Sequence, residues 1–207
     1  YPTDTISNYT YEWYKDGNII PNTPNLSYTT TENGTYKIRV KTGSGKVVDS
    51  NEIAIDSYSI VYNLNGGTGN IQNTTKIEDL NTNITSTVPT REGYEFQGWG
   101  ISATDKTVDY ASNDSYTANS GTTLYAIWKK TITVTFVGNG ATLTGTTTST
   151  CDMYNAETSC SVTAPAITRE EFTITGFNTD SSATTSQVAS GKTAAVSANT
   201  TYYAITS

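Results

Sequence analysis

The sequence predicts a mainly β chain built from tandem small modules, and three observations support this prediction. β-branched residues and tyrosine, which fit pleated surfaces better than helices, are abundant, with 15 tyrosines in the chain. Short segments of alternating apolar and polar residues lie between turns rich in glycine and asparagine. A long stretch of the sequence also occurs twice, which is typical of repeat architectures.

Composition excludes several classes of protein. The chain has 207 residues, a net charge of −7 and only 12 lysines and arginines, so we expect no nucleic-acid partner. No apolar run reaches the roughly 18 residues of a membrane span. Neither a signal peptide nor a sorting tail is recognisable, which indicates a piece of a longer protein. The absence of histidine removes Ser-His-Asp and Cys-His catalysis, and we expect no enzyme activity and no cofactor.

The first module, residues 1–57, reads as a set of antiparallel strands. In the first strand Tyr9, Tyr11 and Trp13 alternate with more polar residues, and Asp16-Gly17 then predicts a turn. A second strand follows, in which one face is apolar and the other basic, as in a half-solvated sheet. The residues of its two faces are Tyr36, Ile38 and Val40, and Lys37, Arg39 and Lys41. Further strands are predicted at Val47-Val48 and at Ile53 and Ile55.

The repeat covers residues 58–130 and 131–207. Residues 88–128 align with 166–206 at a constant offset of 78 residues. Matched positions at this offset are Gly98-Trp99 with Gly176-Phe177, and Tyr125-Ala126-Ile127 with Tyr203-Ala204-Ile205. Upstream the offset is 74 residues, because Asn65-Gly66 aligns with Asn139-Gly140. The second copy therefore contains about four additional residues between these blocks.

Alternation predicts strands in the repeats at Tyr58–Leu64, around Tyr94 and Phe96, and at Leu124–Trp128. No window has a convincing helical period. Because parallel crossovers need long helices, the sheets should be mainly antiparallel or mixed. The short junction at Lys129-Lys130 favours limited flexibility between the copies.

The two cysteines, Cys151 and Cys160, lie within the lengthened stretch of the second copy. Two cysteines in one hairpin-sized segment and nowhere else predict a disulfide, and two free, half-buried thiols are the alternative. A closed loop of this size contributes roughly 2.5–3 kcal/mol in the chain-entropy model. The bond would help a copy in which Phe177 and Thr206 replace Trp99 and Trp128. It implies an oxidising, extracytoplasmic setting.

The repeat resembles the Listeria–Bacteroides repeat, also called the internalin B-repeat. The matching motifs are YNLNGG at 62–67, PTREGYEFQGW at 89–99 and LYAIW at 124–128, whereas the second copy is divergent, with TREEFTITGF and YYAIT. The resemblance implies small β-grasp-like modules, strung in tandem on bacterial surface and secreted proteins, with no catalytic residues. It implies that the motif residues are structural: Gly66, Gly67, Gly98 and Gly176 for turns, and Trp99, Trp128 and Phe177 for the core.

The first module resembles a bacterial immunoglobulin-like domain. YEWYKDG at 11–17 is similar to strand C with its core tryptophan, Trp13. ENGTYKIRV at 32–40 is similar to the corner between strands E and F, with Tyr36 as the corner tyrosine. Too few residues precede Trp13 for the first two strands of that fold. The full prediction is thus a partial immunoglobulin-like β-sandwich, lacking N-terminal strands, followed by two β-grasp-like repeats.

Several side chains have alternative interpretations. Two groups of acids, Asp105, Asp109 and Asp114 in one loop and Asp152 near Glu157, are solvated groups, acid–base pairs or calcium ligands. Surface proteins of this kind sometimes contain Lys–Asn isopeptide bonds, for which Lys37, Lys41 and Lys76 are possible donors, but the sequence indicates no pairing. The tyrosines that would stack on sugars if exposed, or pack in the core if buried, are Tyr14, Tyr110, Tyr116 and Tyr202.

These observations predict a non-catalytic, monomeric, extracellular repeat region of a bacterial cell-surface or secreted protein. It would act as a spacer or adhesive array, and its expected partner is a host surface protein or a glycan. The alternative is a set of carbohydrate-binding modules attached to a secreted enzyme.

Overall fold

The computed structural model describes residues 9–207, and these residues contain strands and no helix. The prediction of a mainly β chain with tandem repeats is therefore confirmed, whereas what was predicted for residues 1–8 lies outside the described residues. In chain order the strands are β1 (Tyr9–Lys15), β2 (Asn18–Ile19), β3 (Gly34–Thr42), β4 (Val47–Asp49), β5 (Ile53–Ile55), β6 (Ser57–Asn63), β7 (Thr74–Ile77), β8 (Thr82–Asn83), β9 (Glu95–Gly100), β10 (Ser115–Tyr116), β11 (Thr122–Val137), β12 (Thr142–Thr144), β13 (Thr148–Tyr154), β14 (Cys160–Thr163), β15 (Ala166–Thr168), β16 (Ile174–Asn178), β17 (Thr193–Val196) and β18 (Thr200–Thr206).

The described chain forms two compact units. The first contains residues 9–62, Ile71–Ser86 and Asn113–Thr123, and the second contains Asn63–Asn70, Thr87–Ser112 and Leu124–Ser207. Residues of the first repeat therefore occur in both units, and the second repeat lies wholly in the second unit.

The N-terminal part of the first unit is one antiparallel sheet. Its strand order is β2-β1-β3-β4, with β5 paired to another stretch of β3. The turn between β1 and β2 places Asp16 and Gly17 at φ of 50° and 79°, a backbone region that suits Asp and Gly. Tyr36 is buried, and Trp13 Nε1 donates to the carbonyl of Asn25 at 2.9 Å. The strands β1 to β5 form this single sheet, and the immunoglobulin-like sandwich predicted for residues 1–57 stays a prediction.

The basic row of β3 is paired with carboxylates. Arg39 binds Asp49 through two parallel contacts of 2.6 and 2.8 Å, and Lys37 Nζ lies 3.2 Å from the same carboxylate. Lys41 Nζ lies 2.6 Å from Glu12 on β1. The Arg39 guanidinium, aided by Lys37, holds the pKa of Asp49 well below its usual value. Since these pairs are largely solvated, they favour strand register more than stability.

The rest of the first unit contains two further antiparallel pairs, β6 with β7 and β8 with β10. The β6–β7 pair sets Tyr58 opposite Lys76. Ile60, Ile84 and Tyr116 are buried, and Lys76 is fully buried.

The second unit is organised around β11, which is 16 residues long. Antiparallel neighbours of β11 are β9 and β13, and β18 runs parallel to it. β16 pairs antiparallel with β18, and two small sheets, β12 with β15 and β14 with β17, complete the unit. The predicted mixture of antiparallel and parallel pairing is therefore present.

Aromatic clusters form the core of this unit, and they share one equivalent position, that of Trp99 and Phe177. In the part from the first repeat, Phe96 packs edge-on against Trp99 and Trp128 at centroid distances of 5.3 and 5.6 Å. In the second repeat Phe136 packs edge-on against Phe177 at 5.0 Å and stacks with Tyr202 at 5.8 Å. These geometries add modestly to the free energy gained by burying the rings.

Candidate functional site

The most organised polar contact in the second unit lies where the two repeats join. β11 begins in the first repeat and ends in the second without interruption, and Lys129-Lys130 lies inside it. Lys129 is opposite Glu95 of β9 and also opposite Tyr154 of β13. Because strands from both repeats hydrogen-bond to this one residue, the junction has no free linker. The limited flexibility expected at Lys129-Lys130 stays a prediction.

The loop that follows β13 reaches from the second repeat onto the first, and Asn155 is its first residue. Asn155 is 4% exposed and has a φ of 51°, a left-handed conformation that asparagine tolerates. Its backbone NH donates to the carbonyl of Trp128 at 3.0 Å, and the NH of Trp128 donates to its Oδ1 at 2.9 Å. Its Nδ2 donates to the carbonyl of Asp105 at 2.6 Å. One buried side chain thus satisfies two backbone groups of the first repeat.

Arg91 of the first repeat completes this contact. Its Nη1 donates to the carbonyl of Asn155 at 2.8 Å, and its guanidinium lies over the ring of Tyr94 at 3.9 Å. Stacking on Tyr94 fixes the plane of the guanidinium, which aims its donors at the loop. We call the contact of Asn155 with Trp128, Asp105 and Arg91 the Asn155 clamp.

Ion pairs flank the Asn155 clamp. Lys106 of the first repeat forms an ion pair with Glu157, whose second oxygen accepts from the NH of Tyr154 at 2.7 Å. The hydrogen bond from Lys106, aided by that NH, lowers the pKa of Glu157. Lys129 lies 2.8 Å from Asp152, and this contact, with the hydroxyl of Thr131, lowers the pKa of Asp152.

A disulfide closes the segment between β13 and β14 that contains Asn155. The predicted bond between Cys151 and Cys160 is present, and each of the two residues is held in a strand. Cys151 lies opposite Ile132 of β11, and Cys160 lies opposite Val196 of β17. The bond therefore anchors both ends of the segment that presents Asn155.

The predicted aromatic motif residues lie in the core, and Trp128 is also part of the Asn155 clamp. Trp99 and Phe177 are 0% exposed and Trp128 is 1% exposed. The indole Nε1 of Trp128 donates to the carbonyl of Leu64 at 2.8 Å. Trp128 therefore contributes its ring to the core of the first repeat and its backbone to the Asn155 clamp.

The predicted glycines are required by close approach or by backbone conformation. Gly66 has a φ of 86°, in the left-handed region. A Cβ on Gly67 would lie 2.3 Å from Cζ2 of Trp128. Gly98 and Gly176 have φ of 146° and 133°, and a Cβ would approach Val108 Cγ1 at 2.5 Å and the carbonyl of Val188 at 2.4 Å, respectively.

Asn65 and Asn139, which align between the two repeats, each hold two backbone carbonyls. Asn65 Nδ2 donates to the carbonyls of Ala103 and Ala126 at 2.9 and 3.0 Å. Asn139 Nδ2 donates in the same way to Ser181 and Ala204 at 3.0 and 3.1 Å. The Asn-Gly pair that occurs in both copies is the sequence feature that marks these two asparagines. Asn155, in contrast, lies in the lengthened stretch and has no counterpart that could mark it.

The other candidate residues are engaged in local structure. Asp105 and Asp109 accept from the backbone NH groups of Ser102 and Ile101 at 2.8 and 2.9 Å. No group of three or more acidic, cysteine or histidine side chains that could hold a metal occurs within residues 9–207. That part of the chain also has no helix with the length and hydropathy of a membrane span.

The tyrosines considered for sugar stacking are not on an open platform. Tyr116 and Tyr202 are 3% and 8% exposed. Tyr14 lies under the guanidinium of Arg39 at 5.0 Å, and Tyr110 is half-buried. This arrangement corresponds to the core and cross-strand interpretation of these four rings.

Comparison with known proteins identifies the repeats. The model of the Listeria-Bacteroides repeat domain matches residues 58–127 and 133–205. The comparison with curated proteins gives no match. Because the two matches together cover more than half of the chain, and because the turns and core positions of the two copies coincide, the chain belongs to the Listeria-Bacteroides repeat domain family.

Proposed function

We propose that this chain is a non-catalytic repeat region of a bacterial cell-surface or secreted protein. It spaces a functional domain from the cell and contributes to contact with a host surface protein or a glycan. The observation that carries the proposal is the junction, in which β11 runs through both repeats and the Asn155 clamp fastens the second repeat onto the first.

The physical reasoning starts from the junction. A linker of free residues would act as a hinge, whereas a continuous strand with paired neighbours on both sides of Lys129 resists bending. The buried hydrogen bonds of Asn155 add directional contacts that bending would break. A repeat region whose junctions resist bending can hold a distal domain away from a surface, which is what a spacer must do.

The extracytoplasmic location rests on the cysteines and on the family. Disulfides persist in oxidising compartments and are rare in the cytosol. The bond between Cys151 and Cys160 fits that setting. The immunoglobulin-like nature of residues 1–57 and the internalin B-type assignment, which rest on sequence resemblance, belong to the same proposal.

A two-part experiment tests this proposal. Antibodies raised against the full chain are applied to intact and to lysed cells of the source bacterium, and the culture medium is probed as well. The proposal predicts signal on intact cells or in the medium. Signal that appears only after lysis would contradict the extracellular location.

The second part concerns partners. The full chain is screened against arrays of glycans, mucins and extracellular-matrix proteins. Saturable binding to a matrix protein would support an adhesive role. Binding to glycans that is lost on Tyr14→Ala, at one of the half-buried tyrosines of β1, would favour the carbohydrate-binding alternative instead.

A further inference from the structure

Lys76 is the one charged side chain that is buried among residues 9–207, with 0% exposure. Burying an ammonium group without a carboxylate partner is unfavourable. The contacts of its Nζ are a backbone carbonyl, that of Ile77 at 2.6 Å, and the side-chain amide of Asn119, whose Oδ1 lies 2.8 Å away. A buried amine therefore lies next to the carbonyl group of an asparagine.

The amide of Asn119 is held at both ends. Its Oδ1 accepts from Lys76 and also from the backbone NH of Asp79 at 2.9 Å, and its Nδ2 donates to Oδ1 of Asp79 at 2.7 Å. The NH of Asp79 remains a donor on the oxygen when Lys76 attacks, and it polarises the carbonyl toward nucleophilic attack. The carboxylate at the nitrogen is positioned to transfer a proton to it. Attacking amine, polarised carbonyl and proton carrier are thus assembled within the first unit.

The second repeat provides an independent observation. Lys76 lies opposite Tyr58 and Cys151 lies opposite Ile132, and Tyr58 and Ile132 are equivalent at the offset of 74 residues. Lys76 and Cys151 thus occupy the same position in their repeats. In the second repeat this position carries a covalent cross-link.

We propose that Lys76 and Asn119 form an intramolecular isopeptide bond. The Lys76 amine, after losing a proton, attacks Cγ of Asn119, and a new amide bond forms between Nζ and Cγ. The bond from Cγ to Nδ2 breaks, and Asp79 transfers to Nδ2 a proton that Nζ releases when the amide forms. Nδ2 leaves as ammonia, which takes up the proton that Lys76 lost before the attack. The ammonium and the primary amide are converted to a secondary amide and an ammonium ion, with no oxidant or cofactor. The bond would tie β7 to the segment that leads into β11.

Mass spectrometry of the full chain tests this proposal. After reduction of the disulfide, the expected mass is lower than the mass of the sequence by one molecule of ammonia. Tandem spectra should show a branched peptide that joins Lys76 to Asn119. A mass equal to that of the sequence, in protein incubated until no further change occurs, would overturn the proposal.

Variants separate the bond from other losses of ammonia. Asn119 precedes Ser120, so a succinimide at Asn119 would give the same mass. Lys76→Arg abolishes the loss of ammonia if the isopeptide bond forms. The same variant leaves the loss of ammonia unchanged if a succinimide forms. Asp79→Asn changes an exposed residue, should leave the fold unchanged by circular dichroism, and should slow bond formation by about 10²–10⁴-fold. Lys46→Met, at an exposed lysine, serves as the matched control and should retain the loss. Persistence of the loss in Lys76→Arg would contradict the proposal.

Discussion

The two repeats fill the same core position in two different ways. In the first repeat Trp128 is buried near the middle of β11, and Gly67 leaves room for its ring. In the second repeat the equivalent residues are Thr206 and Ala141. The large tryptophan thus occurs with a glycine in the first repeat, and the smaller threonine occurs with an alanine in the second. This pairing indicates that the two positions are coupled by packing.

The motif arginines, Arg91 and Arg169, also have different hydrogen-bond partners in the two repeats. Arg91 stacks on Tyr94 and donates to the Asn155 carbonyl, whereas Arg169 stacks on Phe172 at 3.7 Å and donates to the hydroxyl of Thr206 at 2.8 Å. The arginine of the first repeat therefore binds the neighbouring repeat, while that of the second binds its own last strand. The motif arginine of the first copy thus takes part in the Asn155 clamp, and within the described residues that of the second copy forms no hydrogen bond with another repeat.

The largest expected effect comes from Trp128→Ala. It removes a buried indole and its hydrogen bond to Leu64, and we expect a loss of about 3–5 kcal/mol in the free energy of unfolding. Thr206→Ala, the matched change in the second repeat, should cost less than about 1 kcal/mol, since Thr206 is half-buried. Urea unfolding followed by circular dichroism measures both. Equal losses in the two variants would show that the repeats do not differ at this position.

Asn155→Ala should have the next largest effect. It leaves the NH of Trp128 and the carbonyl of Asp105 without their partner, and we expect a loss of about 2–4 kcal/mol. Asn73→Ala, at an exposed position before β7, is the control and should change stability by less than about 0.5 kcal/mol. If thermal melting finds the two variants equally stable, the Asn155 clamp does not hold the repeats together.

Gly67→Ala tests the coupling with Trp128. Alone, the added methyl must displace the indole, and we expect a loss of about 1–3 kcal/mol. In a chain that also carries Trp128→Thr, which reproduces the second repeat's pair, the same change should be nearly neutral. A double-mutant cycle measures the coupling energy. Additive effects of the two changes would remove the packing explanation for the paired difference.

The smallest expected effect is a dependence on pH through Glu157. The pKa of Glu157 is lowered in the folded chain by Lys106. Its contribution to the free energy of unfolding is therefore complete above the usual glutamate pKa of 4.5, and it is lost as the pH falls through the lowered pKa. Glu157→Gln should therefore reduce the difference in unfolding free energy between neutral and acidic pH. Urea unfolding at both pH values, with Glu170→Gln at an exposed glutamate as control, checks this.

The sequence predicts those features that local patterns or the repeat itself encode. Alternation identifies the strands at β1, β3 and β6, the Asn-Gly pairs identify the turns, and the paired cysteines identify the disulfide. Two features are not predictable in this way. Asn155 lies in a stretch without a counterpart, and Lys76 with Asn119 is a contact between residues that are distant in sequence. Only the folded strand register brings such groups together.

Hydrogen exchange on the full chain tests the central claim most directly, namely that the junction makes the repeats one cooperative structure. Amide exchange in β9 of the first repeat and β16 of the second is followed by mass spectrometry at increasing urea concentration. The junction predicts that both strands open with the same free energy, and that Asn155→Ala lets β16 open before β9. Different opening free energies in the unaltered chain would contradict the claim.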